Sequence, residues 1–155
     1  MSQLIFKGRN IFYEVQGEGK PILILNGIMM STKSWEPFVK SFTATNQLIR
    51  LDFFDQGQSD KLDNSAYTQD IQVDVMEALL KHLKIHKVNI VGISYGGEGA
   101  AMFAIKFGQE FCIVTTRWLF AVTNSSNGRV VTMQCQVKLS KTSLGNGGNL
   151  VYILL

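Results

Sequence analysis

The residues with the clearest chemical potential are Gly92-Ile93-Ser94-Tyr95-Gly96-Gly97. A serine hydroxyl attacks a carbonyl carbon once a neighbouring base takes its proton and nearby donors hold the resulting oxyanion. Glycines two residues away on either side permit a tight reversal that a Cβ would obstruct. An apolar run, Val88 to Val91, leads into the turn, and an alanine-rich apolar segment, Gly99 to Phe107, leaves it. The order strand, turn, helix holds a hydroxyl out at the end of a strand, above the positive end of a helix. The same spelling also suits a buried serine in an ordinary strand-to-helix turn whose glycines only allow close packing.

Two other chemistries of glycine-rich turns fit less well. A dinucleotide fingerprint matches at Gly92 and Gly97, but Ser94 takes the middle glycine's place and no acidic residue follows about 20 positions on. A phosphate-cradling loop needs Lys after its last glycine, where this chain has Glu98. Cys112 and Cys135 give neither a disulfide framework nor metal-ligand spacing. The expectation is therefore no cofactor and no metal.

A nucleophilic serine needs a base and a carboxylate to orient it. Past Ser94 the chain has no His and no Asp, and only Glu98 and Glu110 carry carboxylates. The two histidines, His82 and His86, precede the strand that ends at the serine. Eight strand residues separate His86 from Ser94 by roughly 26 Å, so these histidines are expected to be solvated residues at a helix end, out of the serine's reach.

The elements that position the turn can be read in chain order. Leu4 to Lys7 and Ile11 to Val15 suit a hairpin around Gly8-Arg9-Asn10. Ile22 to Leu25 is continuously apolar, as in a strand buried on both faces of a parallel sheet. It runs into Asn26-Gly27-Ile28-Met29-Met30, where a glycine lets the backbone turn and N–H groups face an anion, or simply starts a strand-to-helix loop. Ser34 is placed to cap a short helix through Phe42, with Trp35, Phe38, Val39 and Phe42 on one core-facing side. Gln47 to Asp52 is the next strand, and Asp55 to Asp60 a polar loop. Thr68 or Ser65 begins a helix reaching Leu83, with Val73, Met76, Leu80 and Leu83 on its apolar side and Gln72, Asp74, Glu77, Lys81 and His82 on the other. Strands alternating with helices imply an α/β fold with a mostly parallel sheet and flanking helices.

Composition bounds the rest. A 155-residue chain with 46% hydrophobic and 17% charged residues is that of a globular protein. A net charge of +3, without a basic cluster carrying interleaved aromatics, argues against nucleic acid as a partner. The first residues carry no signal-like apolar core and no run reaches the ~20 residues of a membrane span, so a cytoplasmic location and no membrane partner are expected. All 12 acidic residues lie in residues 1–110, whereas 111–155 hold Arg117, Arg129, Lys138 and Lys141 with no carboxylate. This break divides the chain into 1–110 and an atypical tail, 111–155.

Three separated segments together resemble the α/β-hydrolase superfamily. They are Asn26-Gly27 after a buried strand, where the family usually has His-Gly; Asp52 with the loop Asp55 to Asp60, like the family's D-x-x-G-x-G-x-S-D with Asp55 for its first glycine and Phe54 for the common Arg; and the elbow Gly92 to Gly97. The resemblance runs from about Leu4 to Phe107. It implies that Ser94 is the nucleophile, that the backbone N–H groups of Ile28 and Tyr95 form the oxyanion hole, and that the substrate is a small ester-like molecule. Met29, Met30 and Tyr95 would line an acyl pocket, with core packing an equal explanation for the methionines. The residues past 107 are unlike the family's second half. The charge break at the same point leads to the expectation that a frameshift or mis-spliced reading near residues 108–112 replaced the native continuation and impaired the enzyme. Source DNA read in the other two frames would then encode an Asp and a His. A non-catalytic binding protein and an acyltransferase are the alternatives, and the oligomeric state is open. Truncation of such a fold would leave one side of the sheet with an unpaired edge, and unless residues 112–155 pair there, aggregation or chaperone dependence is expected.

Overall fold

The computed structural model describes residues 2–62, 68–111, 116–123, 130–138 and 152–154, with the side chains of those up to residue 107. The chain starts with a hairpin of β1 (Ser2–Phe6) and β2 (Arg9–Gln16). Lys7 and Gly8 connect them with φ of 49° and 77°, the double left-handed conformation whose twist matches that of paired strands. Asn10 therefore lies in the ladder opposite Ile5, one step beyond the turn where the sequence placed it.

Next come β3 (Lys20–Leu25), a 3-10 helix (Thr32–Phe38), α1 (Val39–Thr43) and β4 (Asn46–Leu51). They are followed by α2 (Gln69–His82), β5 (Asn89–Ile93) and α3 (Tyr95–Phe111). β6 (Thr116–Thr123), β7 (Val130–Lys138) and β8 (Tyr152–Leu154) complete one sheet of order β1-β2-β4-β3-β5-β6-β7-β8. Its centre, β4-β3-β5-β6, is parallel, and antiparallel pairs flank it on both sides. The α/β class and parallel centre agree with the sequence, while the sheet as a whole is mixed. β6 takes the edge of β5, with Ile90 opposite Thr116 and Ile93 opposite Leu119, so the condition set for aggregation at that edge is not met. Cys112 to Thr115 and the glycine-rich run 142–149 lie outside the described residues.

Strand residues alternate between two covered faces. Leu23 and Leu25 join Ile49, Leu51 and Ile90 beneath Val73, Met76 and Leu80 of α2 and Phe103 of α3. Ile24 and Leu48 join Trp35 on the opposite face, against the 3-10 helix and α1. Each such aliphatic side chain contributes roughly 1.5–3 kcal/mol on burial, so the parallel centre is the best-anchored part of the fold.

Two local expectations are corrected. The helix after Met30 begins with Ser31 ahead of Thr32, and Ser34 Oγ reaches back to accept from the Ser31 N–H at 3.2 Å. Pro37 sits inside this 3-10 helix and has no N–H to donate to the ladder. The chain continues as α1 in a different register, which buries Trp35 but leaves Phe38 53% exposed. In α2, Thr68 is the cap, its Oγ1 accepting from Ile71 N at 3.3 Å. Gln72, assigned to the polar side, is completely buried, because α2 lies against both the sheet and α3 and its apolar stripe widens to include Val75 and Leu79. Neither amide atom of Gln72 has a partner among the described residues.

Candidate active site

β3 and β5 are parallel neighbours, with Leu25 opposite Gly92, so the loops leaving their C-terminal ends emerge side by side. At the end of β5, Ser94 is exposed and adopts φ 51°. A non-glycine residue held in this left-handed region costs about 1–3 kcal/mol and is maintained only where its surroundings over-determine it. Here they do. A Cβ on Gly92 would fall 2.3 Å from the Gly96 carbonyl oxygen, and one on Gly96 would fall 2.6 Å from the Asn26 carbonyl oxygen. Only glycine lets α3 start so close above the strands. The N–H groups of Gly97 and Glu98 then donate to Ser94 O at 2.8 and 3.1 Å, which begins the helix. Its first turn, starting at Tyr95, sets the positive end of the helix dipole beside the hydroxyl.

The loop after β3 passes directly beside this elbow: a Cβ on Gly27 would lie 3.6 Å from Ser94 Cβ. Gly27 to Met30 form a turn closed by Met30 N donating to Gly27 O at 3.3 Å, with Met29 at φ 61° in its third position. That is the pattern of a type II turn, where glycine or asparagine is the usual occupant. The Gly27 oxygen also accepts from Gln56 Nε2 at 3.1 Å. In a planar trans peptide the N–H points opposite to the C=O. Fixing the Gly27 carbonyl from two sides therefore fixes the direction of the Ile28 N–H.

A buried polar network holds this loop. Asn26, 1% exposed, donates through Nδ2 to Leu51 O, Asp52 Oδ1 and Gln56 Oε1 and accepts from Trp35 Nε1 at 2.7 Å. Asp52 is completely buried, accepting from Thr32 N at 2.6 Å and Gln58 N at 2.9 Å. A Cβ on Gly57 would fall 1.9 Å from Asp52 Oδ2, which accounts for the glycine at that point of the loop. Both carboxylate oxygens bind loop N–H groups, so Asp52 is a structural bracket for the two loops. Asp55 adopts φ 65°, which explains why glycine is the usual occupant of its place.

A cleft of about 750 Å³ adjoins the elbow through Tyr95. Ile28, Met29, Met30 and Tyr95 supply its apolar walls, and Ser31, Gln56 and Asp55 its polar ones. Met29 is 97% exposed, so core packing does not account for it. Met30 is half-buried against the Trp35 cluster. The Tyr95 ring meets Phe53 edge-on at 6.3 Å.

Ser94, Tyr95 and Ile28, selected from sequence, thus meet at one end of the sheet. His82 and His86 do not join them. His82 is in the last turn of α2 with Nε2 3.2 Å from the Tyr13 hydroxyl, and His86 is exposed just before β5 begins. Gln56 escaped the sequence reading as a site residue, as did Arg50, a buried guanidinium that reaches Glu14, Glu36, Gln16 and the Thr32 carbonyl. The polar loop 55–60 and an arginine in an otherwise apolar strand were the available signals. Among the described residues no group of three or more His, Cys, Asp or Glu is arranged to hold a metal ion.

Residues 20–113 match the family model described as alpha/beta hydrolase fold. The chain belongs to the α/β-hydrolase fold family. It is 34% identical over 88 residues to an (E)-2-((N-methylformamido)methylene)succinate hydrolase of Acinetobacter baylyi, covering 57% of this chain and 33% of that protein. Among solved structures it is similar to MGS-M2, an α/β-hydrolase enzyme from a Medee basin deep-sea metagenome library, with 45% identity and a TM-score of 0.73 over 81% of this chain and 46% of that one. It is also similar to an N-acyl homoserine lactone degrading enzyme, with 28% identity and a TM-score of 0.71 over 76% and 44%. The Acinetobacter relative and the lactone-degrading enzyme are named for small-molecule substrates. This chain spans about a third of the length of the curated relatives it matches.

Proposed function

We propose that the site is that of a serine hydrolase acting on small ester-like substrates, with Ser94 as nucleophile. The observation that carries this reading is the left-handed backbone of an exposed Ser94 at the end of β5, with the Gly27-Ile28 loop alongside. Ser94 Oγ attacks the carbonyl carbon while its proton passes to a base. The tetrahedral oxyanion accepts from the Ile28 and Tyr95 N–H groups, and its collapse expels the alcohol. Water then hydrolyses the acyl-enzyme and releases the acid. Donors preorganised in this way are typically worth about 2.7–4 kcal/mol each in the transition state.

The base is the missing part. Both histidines of these 155 residues lie toward the N-terminal end of β5, at the opposite end of the sheet from the cleft. The 155-residue chain by itself is therefore expected to be severely slowed, retaining at most the roughly 10³–10⁴-fold acceleration over water that an oxyanion hole and binding supply without a triad. The same placement of the histidines favours a second reading, a binding protein that keeps the fold without the chemistry. A fluorophosphonate probe separates the two. A mass adduct on Ser94, lost in Ser94→Ala, supports the hydrolase, and no adduct on folded protein supports the binding protein.

A further inference from the structure

Among the described residues, Asp55 is the only charged one lining the cleft. Its backbone is left-handed, with φ 65°. Its Oδ1 accepts from Leu62 N at 3.0 Å, and Oδ2 has no partner among the described residues. No Lys, Arg or His among the described residues lines the cleft, and the other described walls are apolar or neutral. The Lys61 ammonium donates to the main-chain oxygen of Asp55 at 2.9 Å, and Lys61 is not part of the lining. Glu98, exposed in the first turn of α3, adds a second carboxylate near the elbow.

We propose that Asp55 makes the cleft select ester substrates whose far end is cationic or neutral and discriminate against those ending in a carboxylate. The inference rests on the hydrolase reading for the word substrate, but its physical content is a charge preference of the cleft. The positive end of α3 acts oppositely, drawing an anion toward the Ser94 oxyanion site. It acts at the reacting carbonyl, whereas Asp55 acts on the chain beyond it. One unscreened carboxylate several ångströms from a ligand charge, at a partly solvated surface, separates a cation from an anion by about five- to twenty-fold in affinity. Lys61 pulls the value toward the lower end.

The test uses the whole chain and three esters of matched length: methyl 6-aminohexanoate, methyl hexanoate and monomethyl adipate. Binding is read from the methyl signals of Met29 and Met30 in a methionine-labelled sample. At low salt the amino ester is expected to bind about five- to twenty-fold tighter than the adipate ester, with the neutral one between. In Asp55→Asn, which keeps the acceptor for Leu62 N and tolerates the left-handed backbone, the ratio is expected to fall to within about two-fold. In unchanged protein, about 0.5 M salt should shrink it similarly, a control independent of the variant's folding. Equal or tighter binding of the adipate ester, a ratio indifferent to both Asp55→Asn and salt, or no methyl shift with any ester would overturn the proposal. If Ser94 takes no phosphonate adduct while the charge preference holds, the hydrolase reading falls and this one stands.

Discussion

At the scale of single residues, the site depends on side chains that aim backbone groups as much as on the serine. Gln56 is the clearest of these, because its amide bridges Asn26 to the Gly27 carbonyl and so orients the Ile28 N–H. Gln56→Leu keeps approximate volume but releases that peptide plane. The rate of Ser94 phosphonylation is expected to fall about ten-fold or more, below the 10²–10³ of losing an oxyanion donor outright, while the urea midpoint moves little. An unchanged rate would remove Gln56 from the site. Ser94 was legible in the sequence because its signal is local: glycines at fixed spacing between an apolar strand and a small-residue helix. Asn26 was marked only by its place after a buried strand and Gln56 not at all, because their roles lie in contacts 25 to 30 residues apart in the chain.

At the scale of elements, the elbow is a steric solution. Gly96 lies against the carbonyl at the end of β3, and Gly96→Ala would drive a methyl to 2.6 Å from backbone that cannot swing aside. A destabilisation of about 1–3 kcal/mol is expected, together with loss of Ser94 labelling, measurable by chemical denaturation and by mass. Wild-type labelling in Gly96→Ala would mean that the strand-to-helix approach tolerates slack. The 3-10 helix is pinned differently, by Arg50 extending from β4 to the Thr32 carbonyl and to Glu36, with Glu14 on β2 as cross-strand partner. Arg50→Ala should cost about 2–3 kcal/mol. Glu36→Gln should cost well under 1 kcal/mol, since Glu36 is 66% exposed. Equal losses from both would contradict a buried hub with dispensable outer partners. With Thr68 as its start (the alternative start, Ser65, lies outside the described residues), periodicity located α2 to within a residue of its ends. It misplaced Gln72 because one helix's pattern does not show how many neighbours will cover it, and it misread the segment after Met30 because Pro37 interrupts the ladder.

At the scale of the whole molecule, a two-faced parallel centre presents the C-terminal ends of β3 and β5 together, and that convergence creates the cleft. The strand order could not be read from the sequence, although the buried apolar runs at Ile22 to Leu25 and Val88 to Val91 marked the two strands that matter. The charge break near residue 110 coincides with the end of the family match at residue 113. Among the described residues, neither histidine lies near Ser94. A serine with its oxyanion loop in place but no base should respond to one supplied from outside. The most direct measurement is therefore the rate of fluorophosphonate adduct formation on Ser94, followed by mass with rising imidazole. The predicted result is a slow adduct confined to Ser94, accelerated by imidazole and absent in Ser94→Ala. Folded protein that forms no adduct on Ser94, with or without imidazole, would contradict it.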